Sequence, residues 1–356
     1  MKMIDTLSEG KLDIVGDIHG EIEAYKRLLE HLGYDTDGSN PEGRQLVFVG
    51  DLVDRGPDSP AVVEQVMRLV DIGHAQCILG NHELNILLNK VKHGNEWFMK
   101  TENCDPSIMK TVGRKQKRRF LNFFEKLPLA LERADLRVVH ACWYNDAFDK
   151  LKDDEVTATS IKRVDDNYVA RIEEKLGREE HQAKFTDEKR LYGDKIEYGG
   201  RSPAEVWPDP VMLPAHAERD VEKQMGNPIR ILTSGIERKA DKPFTAGGKF
   251  RFLSRVRWWD EYSDKTPVVI GHYWRRFKEL DRKDAPDFGP NLFEGVKPAH
   301  WVGTNRNVYC VDFSVGAQAW ARANKKSHEG FRLAALRWPE NEVVFDDGHR
   351  EATISE

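Results

Sequence analysis

Short apolar runs that end in glycine and polar residues recur near the start of the chain. Leu12–Val15, Gln45–Val49 and Gln76–Leu79 are each too short for a helix, so each predicts a buried strand. Every run leads into a loop that contains glycine, and a helical pattern follows each loop. The sequence therefore predicts three βα units whose loops share one edge of a sheet, which is where open α/β sheets bind ligands.

Helices are indicated where apolar residues recur at three- and four-residue spacing. Glu21–Gly33 fits this rule, and another helix is predicted to begin at Ser59-Pro60, since proline suits a first helical turn. Further helices are predicted at Leu84–Lys92 and at 114–127. The basic run at 114–119 could sense a polyanion, but we interpret it as the solvated face of an amphipathic helix.

The composition changes from about Tyr144 to Pro228, where charged residues dominate and no strand pattern persists. A polar helix is predicted at Val164–Lys184 within this segment. Strands are predicted before and after it, at Leu136–Val139, Ile229–Leu232, Phe250–Trp259, Pro267–Ile270, Asn307–Asp312, Phe331–Trp338 and Glu342–Phe345. We therefore expect a single domain over residues 1–356, with a polar insertion or cap at about 145–228.

The charge and cysteine content exclude some classes of protein. A net charge of -5 over 356 residues argues against a dedicated nucleic-acid binder. No apolar leader or membrane-length run is present, so we expect a cytoplasmic protein without a membrane partner. The four cysteines show no C-x-x-C spacing, and we interpret them as reduced packing residues. They are Cys77, Cys104, Cys142 and Cys310.

Five loops carry side chains that suit a divalent metal. Three of them read Gly16-Asp17-Ile18-His19-Gly20, Gly50-Asp51-Leu52-Val53-Asp54-Arg55-Gly56 and Gly80-Asn81-His82-Glu83, and two later strands end at His140 and at Gly271-His272. Carboxylate, amide and imidazole groups are ligands for hard and borderline cations. Because all five follow predicted strands, they can converge on one point.

Taken together, these motifs resemble the calcineurin-like metallophosphoesterases over roughly residues 12–140 and 265–315. Asp54-Arg55-Gly56 after Gly50-Asp51 resembles their phosphoprotein phosphatase branch, which includes serine/threonine protein phosphatases and diadenosine tetraphosphatases. The resemblance implies a four-layer αββα sandwich of two mixed β-sheets flanked by helices. It also implies two divalent metal ions, for which manganese is our first choice and iron or zinc would also suit the mixed ligands.

The resemblance further implies a role for each motif residue. Asp17 and His19 would hold the first metal, Asp51 would bridge, and Asn81, His140 and His272 would hold the second. A water between the metals would lose a proton near neutral pH and attack phosphorus. His82, oriented by Asp54, would protonate the leaving oxygen. The substrate phosphate would be bound by Arg55, by Asn81 and by a second arginine.

Some choices stay open at this stage. The second arginine could be Arg201, Arg230, Arg251, Arg255 or Arg257, and we prefer Arg201 because a glycine and a Ser-Pro pair flank it. Glu83 either supports the ligands or simply begins a helix. Tyr273 and Trp274 either pack in the core or offer a stacking face.

The expected function follows from the resemblance. Many diesterases of the wider superfamily have Gly-His-x-His where this chain has Trp274, which argues against a nuclease. We rank hydrolysis of phosphomonoesters first, those of Ser/Thr phosphoproteins included, with a phosphorylated protein or nucleotide as partner. Cleavage of diadenosine polyphosphates is the alternative within the same class. A non-catalytic module that binds a partner is the alternative from another class.

Overall fold

The structure, a computed structural model, describes residues 2–99, 108–153, 160–196, 203–246, 249–278 and 289–354. In chain order the strands are β1 (Ile4–Thr6), β2 (Leu12–Val15), β3 (Gln45–Phe48), β4 (Ala75–Cys77), β5 (Ala130–Arg133), β6 (Leu136–Val139), β7 (Glu237–Ala246), β8 (Lys249–Arg255), β9 (Val268–Ile270), β10 (Val308–Cys310), β11 (Ala334–Trp338), β12 (Glu342–Phe345) and β13 (Arg350–Ala352).

The helices alternate with the strands only in the first part of the chain. They are α1 (Ile22–Leu32), α2 (Ser59–Asp71), α3 (Asn81–Leu87), α4 (Glu96–Met99), α5 (Arg114–Phe124), α6 (Asn145–Asp153), α7 (Ile161–Leu176), α8 (Glu179–Ile196), α9 (Pro203–Val206), α10 (Pro214–Met225), α11 (Pro228–Ser234) and α12 (Ala317–Ala323). Among the described residues, no helix has both the length and the apolar character needed to cross a bilayer.

Two mixed sheets carry most of the strands. One has six strands in the order β13-β12-β11-β2-β3-β4, in which β2, β3 and β4 are parallel. The other has five strands in the order β1-β5-β6-β9-β10, in which β6, β9 and β10 are parallel. Parallel neighbours end at the same edge of a sheet, so the loops after β2, β3 and β4 lie together, as do those after β6 and β9.

Alternation of side chains along the strands builds two apolar layers. Ile14 and Val47 join a cluster that includes Val138 and Val269 of the other sheet, so they fill the space between the sheets. Their chain neighbours Val15 and Phe48 join the cluster that contains the helices. This alternation is what a period of two predicts. The two sheets and their flanking helices confirm the predicted αββα class.

Most predicted elements of the first 140 residues are observed. Leu12–Val15 and Leu136–Val139 are strands with the predicted bounds. Helix α3 begins at Asn81 rather than at the predicted Leu84, so the third ligand loop is also the first turn of a helix. In α5 the basic residues are largely exposed, whereas Phe120 and Phe124 are buried, which confirms the solvated-face interpretation.

The segment at 145–228 is largely helical where the structure describes it. The helix predicted at Val164–Lys184 is wrong as a single element, because α7 ends at Leu176 and α8 begins at Glu179, with Gly177 between them. Our interpretation of one domain with an insertion stays a prediction.

The strand predicted at Ile229–Leu232 is wrong. These residues form helix α11, which begins with Pro228 and is capped by Asn227, whose side chain accepts a hydrogen bond from the Ile229 N–H. The predicted strand at Phe250–Trp259 is correct only for its first part. It forms β8, which pairs with β7 in a separate two-stranded sheet, and a 3₁₀ turn follows at Trp258–Asp260.

Three of the four cysteines are free and buried, as the packing interpretation requires. They are Cys77, Cys142 and Cys310. Cys104 lies outside the described residues.

Candidate metal centre

The predicted ligand loops meet at one end of the two sheets. The N–H groups of Ile18 and His19 both donate to the carbonyl oxygen of Asp51, at 3.0 and 2.9 Å. In the other sheet, the N–H of Gly271 donates to the carbonyl oxygen of His140 at 2.9 Å. Backbone hydrogen bonds therefore fix the positions of the loops relative to one another.

Left-handed backbone conformations are concentrated in these loops. His19, Asp51, Asp54, Arg55, His272 and Trp274 all have φ between +48° and +75°. Such a conformation costs roughly 1–3 kcal/mol for a residue with a side chain. The surrounding hydrogen bonds and packing offset this cost, and the result is that the side chains point into one small volume.

Asp17, His19 and Asp51 form one side of the centre, and all three are buried. The Nε2 atom of His19 lies 3.9 Å from an oxygen of Asp17 and 3.8 Å from an oxygen of Asp51. The Nδ1 atom of His19 lies 2.9 Å from the carbonyl oxygen of Val53. A carbonyl can only accept, so Nδ1 carries the proton and Nε2 presents a lone pair to the carboxylates.

Asp51, Asn81, His140 and His272 form the other side. The amide oxygen of Asn81 lies 3.1 Å from Nε2 of His140 and 2.9 Å from Nδ1 of His272. An oxygen of Asp51 lies 3.4 Å from the same Nε2 atom of His140. Nε2 of His272 is buried and has no hydrogen-bond partner in the structure.

The donor set on this side fits a cation. Nδ1 of His140 lies 2.7 Å from the carbonyl oxygen of Val49, so it is the protonated nitrogen. In neutral His140, Nε2 is then an acceptor that faces two other acceptors, the oxygens of Asn81 and Asp51. Burial opposes protonation, but the negative charge of Asp51 raises the pKa of His140 to about 10. A divalent cation between these groups would satisfy all of them.

Negative charge is crowded around the centre. Burial, followed by the charges of Asp312 and Asp51, raises the pKa of Asp17 well above its usual value. Burial acts in the same direction on Asp51, but the neighbouring imidazoles of His140 and His82 hold the pKa of its carboxyl well below the usual range. Buried carboxylates that are this close need compensating positive charge.

His82 is oriented by a buried chain of hydrogen bonds. Its Nδ1 donates to an oxygen of Asp54 at 2.5 Å, and the indole N–H of Trp97 donates to the other oxygen of Asp54 at 2.7 Å. Nε2 of His82 therefore points into the centre, 3.8 Å from an oxygen of Asp51. His19, Asp51 and His82 also lie close enough together to hold a metal ion, so geometry alone allows His82 to be either a proton donor or a ligand.

Arg55 spans the same volume. One terminal nitrogen donates to Nε2 of His19, and the other lies 3.1 Å from Nε2 of His82. The guanidinium carbon lies 4.2 Å from the ring centroid of Trp274, an arrangement that favours a cation over an aromatic face. A metal ion bound at His19 therefore requires Arg55 to release this nitrogen.

The structure shows both features that were considered for Glu83. It lies in the first turn of α3, and its two oxygens accept hydrogen bonds from the N–H groups of Asp51, Leu52 and Gly80 at 2.8–3.1 Å. Burial and the charge of Asp51 raise its pKa to about 7. Glu83 therefore supports the loop that carries Asp51.

The preferred second arginine, Arg201, lies outside the described residues. Of the other candidates, Arg230, Arg251 and Arg255 line a cavity of about 630 Å³ that Arg55 also lines. Arg255 comes nearest to the ligands, with a terminal nitrogen 3.5 Å from the carbonyl oxygen of His272. Arg257 instead pairs with Asp260 at 3.1 Å.

Two residues of the centre were missed in the sequence. Asp312 follows β10, is buried, and accepts hydrogen bonds from the N–H groups of Trp274 and Ser314, each at 2.8 Å. Its position after a strand is the same signal that identified the other loops. Trp97 carried no such signal, because its contact with Asp54 depends on the tertiary fold.

Comparisons with known proteins agree with this geometry. The family model described as calcineurin-like phosphoesterase matches residues 10–229. A bis(5'-nucleosyl)-tetraphosphatase PrpE (asymmetrical) of Geobacillus sp. (strain WCH70) is 36% identical over 143 residues, which are 37% of this chain and 57% of that protein. The protein of the same name from Oceanobacillus iheyensis is 38% identical over 141 residues, with 37% of this chain and 55% of that protein covered. The chain thus matches little more than half the length of these relatives.

Among solved structures, a cold-active protein-tyrosine phosphatase of a psychrophilic Shewanella species is 14% identical. The TM-score is 0.47, and the match covers 99% of this chain and 83% of that one.

Proposed function

The chain belongs to the calcineurin-like phosphoesterase family, and from this premise we propose that it hydrolyses phosphate monoesters, those of phosphoproteins included, with two divalent metal ions. The observation that carries the proposal is the convergence of buried carboxylate and imidazole groups and one half-buried amide from five loops. Manganese is the first choice for both ions, and iron or zinc would also suit these ligands.

The ligand assignment uses the two sides of the centre. Asp17 and His19 would hold one ion, and Asn81, His140 and His272 would hold the other. Asp51 would bridge the two, because its two oxygens face His19 and His140. When bound, the ions would neutralise charge on the phosphate and make a water acidic enough to act as the nucleophile.

His82 would supply the proton for the leaving oxygen. The Asp54 carboxylate fixes Nδ1 as a donor, so the proton that is transferred is the one on Nε2 of the imidazolium form. Because Trp97 donates to the second oxygen of Asp54, the imidazole is held in one orientation before the substrate binds.

Arg55 and Arg255 would bind the oxygens of the substrate phosphate. The planar fork of a guanidinium matches two phosphate oxygens, which lysine cannot reproduce. The guanidinium group of Arg55 lies over the ring of Trp274, which keeps it beside the centre. Asn81 would add a donor from its amide nitrogen while its oxygen serves the metal.

The test is turnover of p-nitrophenyl phosphate by full-length protein that has been purified without chelator and supplied with Mn²⁺. We expect activity that EDTA abolishes and Mn²⁺ restores. Elemental analysis of the same preparation would identify the metal that copurifies. Absence of turnover with every divalent metal would contradict the proposal and favour a non-catalytic module that binds a partner.

A second candidate is cleavage of bis(5'-nucleosyl) tetraphosphates. The names of the two PrpE relatives favour it, and the phosphate chemistry at the centre would be the same. The two candidates separate when diadenosine tetraphosphate and a phosphopeptide are offered at equal concentration. A higher kcat/KM for the dinucleotide would place this candidate first.

A further inference from the structure

A basic cavity opens directly beside the candidate metal centre. Its volume is about 630 Å³, and its walls come mainly from the hairpin β7–β8 and from helices α10 and α11. Arg55 and Trp274 line the side that faces the ligands. A substrate whose reacting phosphate lies at Arg55 would therefore extend into this cavity.

The charges in the cavity walls are strongly unequal. Seven of the lining side chains are basic and two are acidic. The acidic ones, Asp220 and Glu237, have pKa values raised by burial, so burial works against their negative charge. A concave surface with charges of one sign concentrates ligands of the opposite sign.

Apart from Arg55, three of the basic side chains have no carboxylate partner. In the part of the chain that the structure describes, Lys92, Arg251 and Arg255 make no ion pair within 4.0 Å. Arg251 only donates to the carbonyl oxygen of Ala246 at 3.3 Å.

Arginines just outside the cavity, in contrast, pair with carboxylates. Arg238, on β7 of the same hairpin, pairs with Glu261 at 3.0 Å, and Arg257, which follows β8, pairs with Asp260 at 3.1 Å. Neither lines the cavity. Among the described arginines of this hairpin and of the residues just after it, those that line the cavity are therefore unpaired, whereas those outside it are paired.

Positive charges also lie close to one another around Lys92 in the cavity wall. Partial desolvation lowers the pKa of Lys92, and the charges of Lys249, Lys90, Arg230 and Arg251 lower it further. A bound anion would relieve this repulsion. The unpaired guanidinium group of Arg251 matches phosphate in particular, since it can donate two parallel hydrogen bonds to the phosphate oxygens.

We infer that this cavity is a second anion subsite, which binds a further phosphate of a substrate whose reacting phosphate lies at Arg55. The inference rests on the proposed metal-dependent hydrolysis, and among its candidate substrates it favours phosphate chains, either inorganic or attached to a nucleoside. Phe244 and Phe252 also line the cavity, so an aromatic base could lie against its wall.

The direct test is binding of tripolyphosphate to the full-length protein in EDTA, measured by calorimetry. Arg251→Gln and Lys92→Gln each remove one cation from different walls of the cavity, and Arg238→Gln is the matched control on the same hairpin. We expect the Kd to rise at least about ten-fold in each cavity variant and less than two-fold in the control. Unfolding temperatures of all variants show whether each one is folded.

Two binding results would overturn the inference. One is an equal rise in Kd for Arg238→Gln and Arg251→Gln, which would mean that only the net charge matters. The other is an unchanged Kd in both cavity variants. Since this assay needs neither metal nor turnover, it decides the subsite even if the protein hydrolyses nothing, whereas failure of the proposed function would show as lack of p-nitrophenyl phosphate turnover by the wild type.

Turnover then identifies what the subsite takes. In Arg251→Gln we expect kcat/KM to fall about ten-fold more for tripolyphosphate and diadenosine tetraphosphate than for p-nitrophenyl phosphate, at fixed free Mn²⁺. An equal fall for a phosphopeptide with a single phosphate would overturn the inference, because the cavity would then bind peptide. A fall confined to the dinucleotide would also overturn it, because the cavity would then bind the base.

Discussion

The metal-ligand loops and the basic cavity lie side by side, yet the protein builds them in opposite ways. The loops are short, their side chains are buried, and backbone hydrogen bonds fix them at the ends of strands. The cavity is lined mostly by exposed and half-buried side chains of a hairpin and of helices in the 145–228 segment and just after it. Under the proposed function, the chemistry would depend on rigid backbone, whereas the choice of substrate would depend on side chains that can change without disturbing that backbone.

Substitution of Asp51 should have the largest effect on the metal-ligand loops. We expect Asp51→Asn to lower kcat more than about 10⁴-fold with every substrate, since both ions would lose a charged ligand. Metal content, measured by elemental analysis, should fall in parallel. Unfolding in EDTA should shift to lower temperature, because the neighbouring imidazoles hold the pKa of Asp51 well below its usual range and its charge therefore stabilises the folded state. Retention of both ions would contradict the bridging assignment.

His82 should show the next largest effect. We expect His82→Ala to lower kcat by about 10²- to 10⁴-fold while both ions stay bound, because only the proton donor is lost. Steady-state rates and metal content, measured on the same sample, check this. An equal loss of metal would make His82 a ligand, which the distances to Asp51 and His19 also permit.

A substitution at Glu83 tests whether the metal-ligand loops need a rigid backbone. Glu83→Gln places an amide group against N–H groups that now donate to a carboxylate. We expect a fall in metal affinity or activity of about 10- to 100-fold, as for other groups that support ligands. A competition assay with a metal indicator measures the affinity. An unchanged affinity together with unchanged kcat would show that the loop keeps its shape without this contact.

Trp97 should show the smallest effect of the four. Trp97→Phe keeps the aromatic packing but removes the hydrogen bond to Asp54. We expect kcat to fall by about three- to ten-fold, with a changed pH profile, because His82 is then less firmly oriented. Metal content serves as the control and should not change. A fall caused by lost metal would place the role of Trp97 elsewhere.

The contrast between the two regions also explains what the sequence could predict. The loops of Asp17, Asp51 and Asn81 were found because each residue follows a strand, and strand ends are visible in the local pattern. Asp312 has the same position, but the alternating pattern predicts it as the last residue of the strand itself. The arginines of the cavity could not be ranked, since only the folded hairpin shows which of them face inwards.

The wrong strand at Ile229–Leu232 has a local cause. Three apolar residues, two of them isoleucine, favour a buried strand, and they are buried in the structure, whereas the intervening arginine is half-buried. The Asn227-Pro228 pair before them is a helix start signal. The hydrogen bond from the Ile229 N–H to the capping side chain of Asn227 outweighs the strand propensity, which is weak in so short a run.

The proposed ligands are divided between the two sheets, since Asp17, Asp51 and Asn81 follow strands of one, whereas His140 and His272 follow strands of the other. No fragment of the chain that keeps only one sheet can assemble the centre. A polypeptide that stopped at residue 229, where the family match ends, would have no His272. Its five-stranded sheet would also lack β9 and β10. Metal loading would then serve as a readout of whether both halves of the sandwich have come together.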